Sequence, residues 1–161
     1  MNYQEQIIDL LKKNNLKIAT VESVTAGMIS SYLASVPGAS KVLLGGLVVY
    51  TNFAKTKLAN VKEETLNEFG AISEECVKEL SYNFNKKMQS DITIAISGNA
   101  GPNPSENKPI GFAWLAICVI DKIYTFKLNS NYKDRNDIRI DLTNLAYQKL
   151  IEVIQKITNK I

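Results

Sequence analysis

The sequence predicts an α/β fold: a three-layer α/β/α sandwich with a mixed, mostly parallel central sheet and one antiparallel hairpin. Apolar runs of strand length alternate with amphipathic segments of helical spacing, an order typical of helices packed on both faces of a sheet. Near the C-terminal end only Asp121 and Lys122 separate two apolar runs, and this short connection predicts the hairpin. A chain of 161 residues is expected to form one domain over residues 1–161.

The first half of the chain supplies two strands and several short helices. Pro37 and Gly38 end the second predicted helix, and Gly45 and Gly46 predict an irregularity inside the second predicted strand. The predicted elements, in chain order, are a helix over residues 3–14, a strand over 16–21, a helix over 23–35, a strand over 42–50 and helices over 54–59 and 63–68.

The second half adds three strands and two longer helices. Ser73 is expected to cap a helix whose first turn holds Glu74 and Glu75, where the helix dipole favours negative charge. The predicted elements, in chain order, are a helix from Ser73, a strand over residues 91–97, a loop over 98–111, strands over 112–120 and 123–128, and a helix from about Lys133.

Composition excludes several function classes. Apolar residues make up 45% of the chain, charged residues 22%, and the net charge is only +3, so nucleic-acid and membrane-surface binding are not favoured. Two cysteines are too few for a disulfide framework, and Cys118 is expected in the core. Since the chain has no histidine, a structural zinc site lacks ligands and no metal is expected. The N-terminal residues do not resemble a signal peptide, so a cytoplasmic location is expected.

Polar segments follow three of the predicted strands. Ser23 comes after the first strand, the segment 50–55 after the second, and the glycine- and proline-rich loop 98–111 after the third. In open α/β sheets ligands bind beyond the carboxyl ends of the strands. The sequence therefore predicts that these three segments form one site.

Ser23 is the candidate nucleophile. Because histidine is missing, its proton must pass to a lysine, a tyrosine or a carboxylate. Lys55 is suited to this if burial lowers its pKa, Tyr50 can relay the proton, and the N–H groups of Val24 and Thr25 can meet the oxyanion. The alternatives are a helix N-cap role for Ser23, which is commoner for a serine at such a position, a solvated Lys55 and a core-edge Tyr50.

Two further features point to ligand binding. The loop over residues 98–111 is long for a compact domain and lacks the ending of a P-loop, so nucleoside-triphosphate hydrolysis is not supported. Arg135 and Arg139 lie one helical turn apart and suit forked recognition of a phosphate or carboxylate. The alternative is ion pairing with Asp134 or Asp137.

With these residues in view, the sequence resembles the nicotinamide-nucleotide amidase family, also called the CinA C-terminal domain, over nearly its whole length. Partial matches occur, in order, to six family patterns. The matching residues are Glu22, Ser23, Thr25 and Gly27; Tyr50, Asn52, Ala54 and Lys55; Gly70, Ala71, Ser73 and Glu74; Gly98, Ala100, Gly101 and Pro102; Lys108, Pro109, Gly111 and Trp114; and Asp134, Arg135 and Arg139.

The resemblance implies hydrolysis of the carboxamide of nicotinamide mononucleotide, giving nicotinate mononucleotide and ammonia. It implies attack by Ser23, proton handling by Tyr50 and Lys55, no cofactor or metal, a pyridine nucleotide as the binding partner, no nucleic-acid or membrane partner, and a homo-oligomer. The implied substrate-binding residues are Thr25, Gly27, Asn52, Gly98, Ala100, Gly101, Arg135 and Arg139.

The sequence also departs from the family patterns near the expected site. The departures are Val24, Ala26, Gly45, Phe53, Asn99 and Phe112. They leave open a second hypothesis, a catalytically silent nucleotide-binding or interaction module that retains the fold. A DNA-associated function is disfavoured by the small net charge and by the presence of only two arginines.

Overall fold

The computed structural model describes residues 1–159, which form six α-helices, one short 3-10 helix and five strands. The helices are α1 (Tyr3–Lys13), α2 (Met28–Ala34), α3 (Asn52–Ala59), α4 (Glu63–Phe69), α5 (Glu74–Met88) and α6 (Arg135–Thr158), with the 3-10 turn at Ala39–Lys41. The strands are β1 (Ile18–Glu22), β2 (Leu43–Val48), β3 (Ile92–Gly98), β4 (Phe112–Val119) and β5 (Lys122–Asn129).

The five strands form one mixed sheet in the order β2-β1-β3-β4-β5. β1 pairs in parallel with β2 and β3, while β4 is antiparallel to both β3 and β5. All strands except β4 therefore run in the same direction, and β4–β5 is the predicted hairpin. The α/β class, the mixed sheet and the hairpin are confirmed.

Helices cover both faces of the sheet, so its central strands are buried. One core unites α1, α2 and α6 with a sheet face that includes Ile18, Ile94 and Leu115. The other core unites α3 and α5 with the opposite face, through Val21 and Ala95. Every residue of β1 is buried, as expected for a strand that helices cover on both faces of the sheet.

The irregularity predicted in β2 is a bulge. Ile18 pairs with Leu43 but Ala19 pairs with Gly45, so Leu44 is the extra residue. At Gly46 an added Cβ would lie 2.5 Å from the Thr20 hydroxyl oxygen, so only glycine fits beside β1. Gly46 therefore allows β2 to approach closely the strand that precedes Ser23.

The predicted helix over residues 23–35 begins five residues late. Residues 23–27 form a turn, and α2 starts at Met28 with Gly27 as its N-cap. Ala26 (φ 47°) and Gly27 (φ 99°) have left-handed backbone, which no α-helix continues through. The N-cap role considered for Ser23 is therefore wrong, and this serine does not cap α2.

The other boundaries lie close to prediction, and side-chain caps fix several of them. Ser73 accepts the N–H of Cys76 (3.1 Å), as predicted for α5. Asp134 accepts the N–H groups of Asn136 and Asp137 at the start of α6. Cys118 is buried in the core and free, as predicted. Among residues 1–159, no helix has the length and apolar character needed to cross a bilayer.

Candidate active site

Three strands end at the same edge of the sheet, and the segments that follow them line one cavity. β1 is followed by Ser23, β2 ends just before Tyr50, and β3 ends at Gly98. Their parallel pairing brings these ends together, as the sequence predicted. The cavity, of about 240 Å³, is lined by Ser23, Val24, Tyr50, Asn52, Lys55, Ala71, Ile72, Ser97, Gly98, Asn99, Ala100, Ser105, Glu106 and Arg135.

Ser23 and Lys55 are in direct contact inside this cavity. Nζ of Lys55 lies 2.9 Å from Oγ of Ser23 and 3.0 Å from the carbonyl oxygen of Val49. The lysine is only 2% exposed and the serine 7%. Burial lowers the pKa of Lys55, with partial opposition from Cys76 and Glu106. A neutral amine this close to a hydroxyl can accept its proton, which is the chemistry that a serine nucleophile needs.

The position of Lys55 follows from the local sequence. Thr51 caps α3 by accepting the N–H of Ala54 (3.1 Å), and the N–H of Lys55 bonds to the Thr51 carbonyl. The amine is therefore carried by the first turn of a helix that starts at the carboxyl end of β2. The Val49 carbonyl then fixes the end of the side chain beside Ser23.

Tyr50 and Arg135 lie at the mouth of the cavity. Nη2 of Arg135 donates to the Tyr50 hydroxyl at 2.5 Å, and Nη1 donates to the Gly101 carbonyl. Tyr50 is 52% exposed, so its phenol is accessible to a ligand. This arginine thus ties the segment after β2 to the loop after β3 and leaves a cation at the rim of the site.

Arg139 has a different role. Nε donates to the Val24 carbonyl (3.0 Å) and Nη2 to the Thr25 carbonyl (3.1 Å). Because the guanidinium bonds to the backbone beside Ser23, it holds that turn in place and does not line the cavity. Among residues 1–159 neither arginine pairs with an acidic side chain, so the ion-pairing alternative is wrong.

A buried carboxylate, Glu22, supports the turn from beneath. It is fully buried and accepts the N–H groups of Ile29 (2.8 Å) and Ser30 (3.1 Å) at the start of α2. It also accepts the hydroxyls of Thr25 (2.7 Å) and Ser30 (3.0 Å). The first free N–H groups of α2 therefore face Glu22, where negative charge is favoured, and not a ligand.

Val24 and Thr25, the predicted oxyanion donors, belong to the turn and not to a helix start. In the described part of the chain the N–H of Ala26 bonds to the Ser23 carbonyl, while no hydrogen bond uses the N–H of Val24 or Thr25. Val24 lines the cavity beside Ser23. These N–H groups remain candidates to donate hydrogen bonds to the oxyanion. The turn, and not a helix dipole, would orient them.

The remaining predicted substrate-binding residues divide into two groups. Asn52, Gly98, Ala100 and Arg135 line the cavity, whereas Thr25, Gly27, Gly101 and Arg139 do not. Thr25 donates to Glu22, Gly27 caps α2, and Gly101 accepts from Arg135. Ala26, a departure from the family pattern, is exposed and does not line the cavity, so its methyl group does not narrow it.

Sequence reasoning missed Ser97 and Glu106. Ser97 is the second-to-last residue of β3 and is 2% exposed. Glu106 lies in the loop over residues 98–111, which the sequence indicated only as a whole. The position of Ser97, directly before Gly98 at a strand end, was the signal that could have identified it. Within residues 1–159 no three His, Cys, Asp or Glu side chains are grouped closely enough to hold a metal ion.

The burial of Lys55 predicts a pH dependence of stability. Its pKa is lowered in the folded protein from the ordinary value of 10.5, so between these two values the unfolded chain binds more protons. The free energy of unfolding should therefore rise with pH over that interval. In urea unfolding between pH 7 and 10, the free energy of unfolding of wild type minus that of Lys55→Met should increase with pH. A constant difference would contradict this.

Glu22→Gln should destabilise the protein. The Ser30 N–H and hydroxyl both donate to one oxygen of the Glu22 carboxylate. In glutamine an NH₂ group replaces one of the two acceptor oxygens, so donors would face donors. The expected loss is about 2–3 kcal/mol of unfolding free energy. Glu63→Gln, at an exposed position in the first turn of α4, is the control and should change stability by less than about 0.5 kcal/mol. Equal effects in denaturant melts would rule out the buried-acceptor role.

Comparison with known proteins identifies relatives that share this fold. The family model described as CinA C-terminal domain matches residues 1–154. The "CinA-like protein" of Petrotoga mobilis is 41% identical over 151 residues, 93% of this chain but 37% of that protein. The "Protein MG115 homolog" of Mycoplasma pneumoniae is 37% identical over 159 residues, 99% of both chains. The chain thus spans about a third of the length of the first relative and nearly all of the second.

Solved structures agree with this result. A competence-damaged protein (CinA) superfamily protein from Klebsiella pneumoniae superposes with a TM-score of 0.93 at 28% identity, covering 96% of each chain. The competence/damage inducible protein CihA from Agrobacterium tumefaciens superposes with a TM-score of 0.88 at 30% identity, covering 93% of this chain and 92% of that one.

Proposed function

Since the chain belongs to the CinA C-terminal domain family, we propose that it is an amidohydrolase that converts nicotinamide mononucleotide to nicotinate mononucleotide and ammonia. The observation that carries this proposal is the 2.9 Å contact between the Ser23 hydroxyl and the buried Lys55 amine. A serine paired with a neutral lysine is suited to acyl transfer from an amide. The carboxamide of a pyridine nucleotide is such an amide.

In the first half of the reaction Ser23 attacks the carboxamide carbon. The Oγ–C bond forms as the hydroxyl proton passes to Nζ of Lys55. The N–H groups of Val24 and Thr25 are the candidates to stabilise the oxyanion, since no hydrogen bond in the described part of the chain uses them. Lys55 then returns the proton to the amide nitrogen, the C–N bond breaks, and ammonia leaves the acyl-serine behind.

In the second half water hydrolyses the acyl-serine. Neutral Lys55 accepts a proton from the water as it attacks the ester carbon, and that proton returns to Ser23 Oγ when the C–O bond breaks. The accessible Tyr50 hydroxyl can orient this water or relay a proton at the cavity mouth. The enzyme is restored without any oxidant, reductant or cofactor.

Arg135 is the candidate ligand for the substrate phosphate. It lines the cavity, and its guanidinium, held by Tyr50 and Gly101, is the cation at the rim. Guanidinium groups bind phosphate through two parallel hydrogen bonds. With the amide at Ser23, the nucleotide would extend from the cavity floor to this rim, past the backbone of Gly98 and Ala100.

The test is ammonia release from a panel of pyridine nucleotides and their amides. Nicotinamide mononucleotide should release ammonia and form nicotinate mononucleotide in equal amounts. Heating with each compound should be followed in parallel, because a ligand that binds the folded state raises the melting temperature. Stabilisation without ammonia release would support the silent binding module instead. If no compound raises the melting temperature and none releases ammonia, both functions are contradicted.

A further inference from the structure

Glu106 is a carboxylate in the cavity that the proposed reaction does not use. It lines the same cavity as Ser23 and Lys55 but comes from the loop after β3. Among residues 1–159 it forms no ion pair. An acyl-transfer site that develops negative charge gains nothing from a nearby anion unless the anion acts on a cation. Glu106 is exposed, and the cationic side chains that line the cavity with it are Lys55 and Arg135.

The backbone is held in an unusual conformation to place this side chain. Glu106 (φ 53°) and Asn107 (φ 57°) are both left-handed, and the turn is closed by the N–H of Lys108 bonding to the Ser105 carbonyl at 2.8 Å. Left-handed backbone at two successive non-glycine residues carries a conformational cost. Such strain at a cavity wall is consistent with a functional requirement for the side chain.

The segment between α4 and α5 receives the carboxylate. The Ile72 N–H donates to Oε2 at 3.2 Å and to Oε1 at 3.4 Å. At Gly70 an added Cβ would lie 1.9 Å from Oε1, so this glycine makes room for the carboxylate. The turn therefore fixes the backbone of Glu106, and the Ile72 N–H holds its carboxylate.

Lys55 is the group on which this fixed charge acts. The Lys55 amine contacts Ser23 and Val49, and Glu106 lines the same cavity. Besides burial, the Cys76 thiol on α5 and then the Glu106 carboxylate act on the pKa of Lys55, and both favour its protonated form. Burial raises the pKa of the Cys76 thiol to about 12, so it stays neutral near pH 7. Arg135 lines the cavity too, but it is a cation and cannot favour the protonated form of the amine. Glu106 is thus the anion that favours the protonated form of the amine.

We propose that Glu106 is a positioning residue that sets the protonated fraction of Lys55. This inference rests on the proposed function, in which Lys55 must accept one proton and then return it to the departing amide nitrogen. Burial lowers the pKa of the amine and so favours its neutral form, which suits the first transfer but weakens the second. A carboxylate at the rim offsets part of that effect and keeps both protonation states accessible.

The direct test is an NMR titration of Lys55 in protein labelled with ¹³C-lysine. The Lys55 signal is identified as the one that disappears in Lys55→Met. Glu106→Gln keeps an acceptor for the Ile72 N–H but removes the charge, so the Lys55 midpoint should move to lower pH by about 0.5 unit or more. An unchanged midpoint would overturn the proposal. Since this titration requires no turnover, its outcome is independent of whether nicotinamide mononucleotide is the substrate.

Glu79→Gln is the matched control. This carboxylate accepts the Lys62 N–H (2.9 Å) and the Thr65 hydroxyl on the side of α5, and it does not line the cavity. Its replacement should leave the Lys55 midpoint in place, and an equal shift in both variants would contradict a specific role for Glu106. In an active enzyme the acid limb of kcat/KM should move with the Lys55 midpoint, whereas a merely structural Glu106 would lower stability and leave that limb unmoved.

Discussion

Ser23→Ala is expected to lower kcat for amide hydrolysis by about 10³-fold or more, because the acyl acceptor itself is removed. The methyl group of alanine fits the space of the serine side chain, and Lys55 keeps its bond to the Val49 carbonyl. The free energy of unfolding should therefore change little, and the substrate should still bind. Ammonia release and thermal melts with nicotinamide mononucleotide, measured side by side, check both statements.

Ser97→Ala is the matched control for this prediction. Ser97 lines the same cavity and is also buried, but the Lys55 amine bonds to Ser23 and Val49 and not to Ser97. Its loss should reduce activity far less than the loss of Ser23. Turnover that survives in Ser23→Ala at more than a few per cent of wild type, or an equal loss in Ser97→Ala, would exclude Ser23 as the nucleophile.

Lys55→Met is the second large change expected. Methionine retains an unbranched apolar side chain in the buried position but cannot accept a proton, so kcat should fall by about 10²–10⁴-fold. In the wild-type enzyme kcat/KM should rise with pH as Lys55 loses its proton. Because burial lowers the pKa of Lys55, the rise should occur below pH 10.5, the ordinary pKa of a lysine. That rise should be missing from the residual activity of the variant.

Lys57→Met provides the comparison on the same helix. Lys57 is exposed on α3 and does not line the cavity, so its replacement should leave kcat and the pH profile unchanged. If Lys55→Met retains the wild-type pH profile, a different group is the base. Ammonia release between pH 6 and 10 for the three proteins distinguishes these outcomes.

Much of the fold could be predicted because apolar spacing reports which faces are buried. The apolar run over residues 16–21 and the short Asp121-Lys122 connection sufficed to predict β1 and the hairpin. The start of α2 could not be predicted in this way. It depends on the Glu22 carboxylate, which accepts N–H groups seven and eight residues along the chain, and on left-handed backbone at Ala26. Periodicity contains no signal for either.

The candidate site was predictable where it depends on strand ends and not where it depends on distant partners. The rule that parallel strands share a carboxyl edge was enough to bring Ser23, Tyr50 and Lys55 together. Arg139, by contrast, binds carbonyls 115 and 114 residues away along the chain, at Val24 and Thr25. Spacing on α6 indicated that both arginines share a face but not that one of them supports the turn.

The nucleophilic role of Ser23 is tested most directly by looking for the acyl-serine itself. Enzyme mixed with nicotinamide mononucleotide is quenched in acid at successive times during turnover, digested and mapped by mass spectrometry. We expect a nicotinate mononucleotide acyl group on Ser23 that appears during turnover and disappears when substrate is exhausted. An acyl group on another residue, or product formed while every peptide stays unmodified at all quench times, would contradict it.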